Sequence, residues 1–151
     1  VRRSQETVFK NKIMNREILF RGKPIDKKFG EWVEGFYMED LDNGRVKSFI
    51  FNTPLQIEVD PETVGQFIGI YDNARRKAFT GDFFKDNFGT ILTIFQTPGG
   101  FATECNPLAF GHGYQGGTNP SMPLSDQQTA SWFEGNCKII GNIHDNPSLL
   151  K

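Results

Sequence analysis

Two cysteine and histidine pairs repeat one spacing in this chain. Six residues separate Cys105 from His112, and six separate Cys137 from His144. Two thiols and two imidazoles form a zinc donor set, but structural zinc ligands normally sit about two to four residues apart, where one tight knuckle presents both. The wider spacing favours a small buried Cys137 ahead of a strand, with two unrelated imidazoles. Three carboxylates, Asp72, Asp82 and Asp145, recur at turn-like positions. Paired carboxylates hold divalent ions or share acid and base work, yet Asp at a turn more often bonds its own backbone. Gly111, Gly113, Gly116 and Gly117 would let backbone amides approach a phosphate, but a phosphate loop also needs a buried strand before it and a Lys beside the helix. Here Asn119, Pro120 and Pro123 intervene instead. Neither His112 nor His144 has a Ser or Cys in a strained elbow, so hydrolysis is not supported. Arg75-Arg76-Lys77 lies between Tyr71 and Phe79, and charge beside stacking rings is how single-stranded nucleic acid is gripped. A solvated hairpin tip that discourages edge pairing explains the same residues. Trp32 reads as sheet packing ahead of a ligand-stacking role. The expectation is no catalytic, cofactor-binding or metal-ligating residue.

The elements that position these groups follow from composition and pattern. The chain has 151 residues, 37% hydrophobic, enough for one core or for two halves that share one. Fifteen Phe suit facing sheets in which flat rings interdigitate, and sixteen Gly with eight Pro suit frequent turns, so the fold class expected is mainly β, all-β to α+β. A net charge of -1 supplies no global field for nucleic acid or an anionic membrane. No run approaches the ~18 apolar residues of a membrane helix, and two Cys are too few for a disulfide framework, so a cytoplasmic chain with reduced thiols is expected.

Residues 1–15 read as a tail or upstream segment outside the fold. Glu17–Phe20, Glu31–Tyr37 and Val46–Phe51 read as strands of an N-terminal antiparallel meander, with breakers at Gly22-Lys23-Pro24, Asp40–Gly44 and Thr53-Pro54. Asp60-Pro61-Glu62-Thr63 has the form of a capped helical turn that Gly65 ends, feeding a strand over Gln66–Ile70. The polar stretch Asp72–Lys77 turns that strand towards Ala78-Phe79, and Gly81-Asp82 opens Phe83-Phe84. Thr90–Phe95 and Phe101–Thr103 form a hairpin closed by Pro98-Gly99-Gly100. Residues 105–124 carry Gly and Pro without apolar pattern and read as a long loop, the expected binding contact. Ser125 with Gln128 makes a capping box for a short helix that Gly135 stops, and Lys138–Ile143 makes a closing strand before Asp145-Asn146-Pro147. This divides the chain into an N-terminal β half at 16–71 and a C-terminal half at 72–151.

Arg16-Glu17-Ile18-Leu19-Phe20-Arg21-Gly22-Lys23, Glu31-Trp32-Val33-Glu34-Gly35, Val59-Asp60-Pro61-Glu62-Thr63-Val64-Gly65-Gln66, Thr80-Gly81-Asp82 and Ile140-Gly141-Asn142-Ile143-His144-Asp145-Asn146-Pro147 occur in that order. Together these anchors resemble the YopX family of small phage and prophage proteins. The resemblance implies a β-rich fold with an SH3-like C-terminal half and a phage origin, but no substrate, cofactor or active residue. Two positions depart from the family pattern. Ala74-Arg75 replaces an Asn-Gly turn, which points to a longer turn, and His144 stands where Tyr is associated with the family. The functional expectation is a non-enzymatic phage accessory protein that binds an unknown host or phage protein, or itself. A small nucleic-acid-binding barrel is the alternative, and a metal-dependent enzyme the third.

Overall fold

The computed structural model describes residues 17–105, 121–124 and 127–150. Its architecture is mainly β, two antiparallel sheets with one α-helix among the described residues. The first sheet runs in the order β4-β3-β2-β1-β5-β6. Its strands are β1 (Phe20–Gly22), β2 (Val33–Asp42), β3 (Arg45–Asn52), β4 (Leu55–Val59), β5 (Gly65–Tyr71) and β6 (Lys77–Phe79). β1, β2 and β3 are the expected meander, and β4 extends it by one strand. The sheet then curls on itself: Pro24 bridges Val59, the Ile25 N–H bonds the Glu58 carbonyl, and the Asp60 N–H bonds the Lys23 carbonyl. Inside this curl sit Val33, Ile50, Ile57 and Val59, with Phe20 and Tyr37 against them. Gly35 makes the curl possible, because a Cβ there would lie 2.2 Å from the Phe51 carbonyl oxygen.

Sequence and structure differ in a few elements, each for a local reason. The first strand is Phe20–Gly22 rather than Glu17–Phe20, since its pairing to Val33–Gly35 and to Gly65-Gln66 begins at Phe20. β2 runs through the expected breaker to Asp42, where Asn43 and Gly44, both at positive φ, make the two-residue reversal into Arg45. β4 was not expected after Thr53-Pro54, although Ile57 and Val59 alternate inward with Gln56 and Glu58. The helical turn at Pro61–Thr63 forms as expected, with the Asp60 side chain accepting from the Glu62 N–H.

The second sheet has the order β10-β9-β8-β7-β11, with β7 (Asp82–Lys85), β8 (Ile91–Thr97), β9 (Gly100–Cys105), β10 (Ser121–Pro123) and β11 (Lys138–Asn142). The expected hairpin is β8 with β9, closed at Thr97 and Gly100. Residues 106–120 of the predicted loop lie outside the described residues. Its last part is not loop but strand, because Ser121–Pro123 pairs with Ala102–Glu104 at the sheet edge, where a Pro is tolerated. The helix α1 (Gln127–Asn136) packs Phe133 against Phe84 at 4.3 Å between ring centroids and continues through Gly135. Ser125, the proposed cap, lies outside the described residues. Ile68, Ile70 and Ala78 of the first sheet share a core with Phe84, Leu92 and Ile94 of the second. The first sheet itself continues past residue 71 to Phe79, so Thr80-Gly81 is where the chain passes between sheets.

Candidate functional site

Where the two sheets meet, groups distant in sequence form one polar cluster. Arg21 in β1 donates from Nη2 to Asp82 Oδ1 at 2.5 Å, and the Phe79 N–H donates to Asp82 Oδ2 at 2.8 Å. The Arg21 guanidinium carbon lies 4.6 Å from the Trp32 ring centroid and 4.7 Å from that of Phe79, so an aromatic ring approaches it on each of two contacts. Trp32 Nε1 donates to Asp145 Oδ2 at 2.9 Å, Asn142 Nδ2 donates to the same oxygen at 2.9 Å, and the Lys23 ammonium pairs with Asp145 Oδ1. The His144 ring lies 6.0 Å from the Trp32 ring. Asn142 Oδ1 accepts from the N–H groups of His144 and Asp145, which fixes the turn that carries them.

Electrostatics follow this geometry. Burial pushes the Asp82 carboxyl above its ordinary value, while Arg21 and the Phe79 N–H pull the other way. Burial, then the positive charges of Arg21 and Lys23, hold His144 below its ordinary value and so favour the neutral ring. At Asp145 burial opposes the charged form, but the bonds from Lys23, Asn142 and Trp32 outweigh it and hold the carboxyl well below the usual range. Both carboxylates are already engaged by donors. The arrangement works as a clasp between β1 and the ends of β7 and β11. Trp32 is neither core nor a bare stacking platform, since it covers Arg21 and anchors Asp145.

The remaining predicted groups lie apart from the clasp. Asp72 Oδ1 accepts from the N–H groups of Ala74 and Arg76, and its Oδ2 from Arg76 Nε and the Ile139 N–H, all within 3.0 Å. It is the backbone-bonding Asp that turn chemistry favours. The Asp72–Arg76 turn is the longer one expected: the Arg75 N–H bonds the Asp72 carbonyl, the Asp72 N–H bonds the Arg76 carbonyl, and Arg75 alone of the loop takes positive φ, at 64°. Of the basic trio, Arg76 is bound to Asp72 and to the Ile139 carbonyl, and Lys77 pairs with Glu34 at 3.4 Å. Phe79 is buried beneath Arg21, so its ring offers no stacking surface. Cys137 is fully buried in the shared core, and burial followed by the nearby Asp86 charge pushes its thiol up to about 12, the protonated and unreactive form. Cys105 ends β9 and His112 lies outside the described residues; among the described residues no three His, Cys, Asp or Glu side chains gather as a metal would require.

The feature that sequence reading missed is the outer face of the β2–β3 hairpin. Phe36 pairs across with Phe51 and Met38 with Phe49, and Phe36 and Met38 are 65% and 40% exposed. Next along the same face come Asp40 with Lys47 and Asp42 with Arg45. The signal was present as alternation, apolar at 36 and 38 opposite the inward Gly35 and Tyr37, but only register shows which rings meet.

The YopX protein family model matches residues 19–151, nearly the whole chain. The chain belongs to the YopX family. No protein with a curated description matches it. The crystal structure of protein EF1440 from Enterococcus faecalis is similar, at 17% identity and a TM-score of 0.41, covering 90% of this chain and 99% of that one. Four of the five anchors read from the sequence supply the clasp, since Arg21, Lys23, Trp32, Asp82, Asn142, His144 and Asp145 belong to them and meet in the structure. No helix among the described residues is long and apolar enough to cross a membrane.

Proposed function

We propose that this YopX protein is a non-enzymatic phage accessory module that acts by protein contact, and that the outer face of its β2–β3 hairpin is the contacting surface. The observation that carries this reading is the exposed pair Phe36 and Met38, laddered against the half-buried Phe51 and Phe49, on a hairpin whose tip projects beyond its neighbours. β1 covers β2 only at Val33–Gly35, and β4 covers β3 only from Ser48 to Asn52. Contiguous apolar surface on a soluble scaffold costs solubility, and its usual use is association. Supporting the non-enzymatic side, Asp72, Asp82 and Asp145 each have their oxygens occupied by donors within the fold. The nucleic-acid reading gains no support from the basic trio, because Arg76 and Lys77 already hold acidic partners.

The test is co-purification from producing cells with the double variant Phe36→Ser, Met38→Ser. Loss of the associated protein, with circular dichroism and melting temperature retained, is the expected result. Unchanged recovery overturns the assignment of the surface, and substrate turnover abolished by changing one polar residue overturns the non-enzymatic reading.

A further inference from the structure

Resting on that reading, we infer that the occupant of the hairpin face is a second copy of this chain. Register gives the face four rungs: Phe36 with Phe51, Met38 with Phe49, Asp40 with Lys47 and Asp42 with Arg45. In both polar rungs the acid is on β2 and the base on β3. A two-fold axis parallel to the strands lays β2 of one copy over β3 of the other. Within one copy Lys47 already pairs diagonally with Asp42 at 3.0 Å. Under this axis Asp40 faces the other copy's Lys47 position and Asp42 its Arg45 position, so the acids and bases of the two copies are shared across the axis, and the aromatic and methionine rungs stack on their own kind. Every rung is complementary to itself under that one operation.

The alternative ways for two copies to meet are disfavoured by the same charges. Edge-to-edge pairing of two β2 strands would set Glu39, Asp40 and Asp42 against one another, and like charges directly opposite are destabilising. Reversing one hairpin so that β2 covers β2 has the same defect. The tip also needs a neighbour: Leu41 with Val46 is a cross-strand pair on the opposite face, 69% and 61% exposed, on a stretch that no third strand covers among the described residues. A two-stranded ribbon with no covering layer is marginal in water. The face is only two strands wide, against about 800 Å² per partner in a standard stable interface, so a weak, concentration-dependent dimer is expected.

Charge-swapped mixing tests this pairing. An all-basic hairpin, Asp40→Lys with Asp42→Lys, and an all-acidic one, Arg45→Glu with Lys47→Glu, are each expected to sediment as monomers. Mixed, they are expected to form a heterodimer whose dissociation constant is at least about tenfold below that of either variant alone, weakening as salt rises. Wild type is expected to dimerise with concentration, and Phe36→Ser with Met38→Ser to stay monomeric while folded, which keeps the inference testable if a charge variant fails to fold. Wild type monomeric at all concentrations, or no preference for the mixture, overturns the second copy. If a different protein then co-purifies in a Phe36-dependent manner, the contact-module reading survives; if none does, both fall.

Discussion

His144 carries a pH dependence whose sign its surroundings fix. Its folded value is held below the ordinary 6.5 by burial and by Arg21 and Lys23, so the unfolded chain binds the proton more readily. Its contribution to stability is therefore present above pH 6.5 and is lost as pH falls from there through the lower folded value. His144→Phe is expected to flatten the dependence of unfolding free energy on pH just below 6.5, measured by urea titration; an unchanged slope would mean that another group titrates there. Asp72 and Asp145, both held low, lose their contributions only below the ordinary carboxylate value of 3.8, so the two windows separate. Arg75 gives a second prediction. A side chain at φ 64° is strained, and Arg75→Gly is expected to raise stability by roughly 0.5–1 kcal/mol, less what the freer unfolded chain takes back. A destabilisation would show that the Arg75 side chain makes a contact worth more than the strain.

Among elements, the β2–β3 hairpin depends on Gly35. Gly35→Ala must push the Phe51 carbonyl aside or uncurl the sheet, and a cost of about 3 kcal/mol is expected, read as a lowered urea midpoint. A neutral outcome would show that the curl is soft. This hairpin also marks how far the sequence was legible. The capped turn at Asp60–Thr63, the hairpin over residues 91–105 and the closing strand were all readable, because each is specified by residues adjacent in the chain. The length of β2 was not, because Glu39, Asp40 and Asp42 look like turn residues until cross-strand partners in β3 offset them. β10 was hidden for a similar reason: Ser121–Pro123 has no strand character of its own and is ordered by pairing to β9.

For the molecule as a whole, the clasp ties the curled first sheet to the second across sequence separations of 61 residues for Arg21 with Asp82 and 122 for Lys23 with Asp145. Its residues were visible as motifs, but nothing local showed that they meet, since each motif is an ordinary turn or strand end by itself. Arg21→Ala is expected to cost about 3–5 kcal/mol, because it leaves Asp82 buried without its cation and removes the packing on Trp32 and Phe79. A loss under about 1 kcal/mol would place the stability in the shared apolar core alone. With the clasp and that core closing the interior, the outer face of the hairpin still presents Phe36 and Met38 to solvent beside Phe49 and Phe51. A photo-activatable residue placed at position 36, with one at the more solvent-exposed Phe88 as a control, reports directly on what touches that ladder in producing cells. The expected result is discrete protein adducts, to a second copy or to another protein, from position 36 and none from position 88; adducts from both alike, or from 88 only, would contradict it.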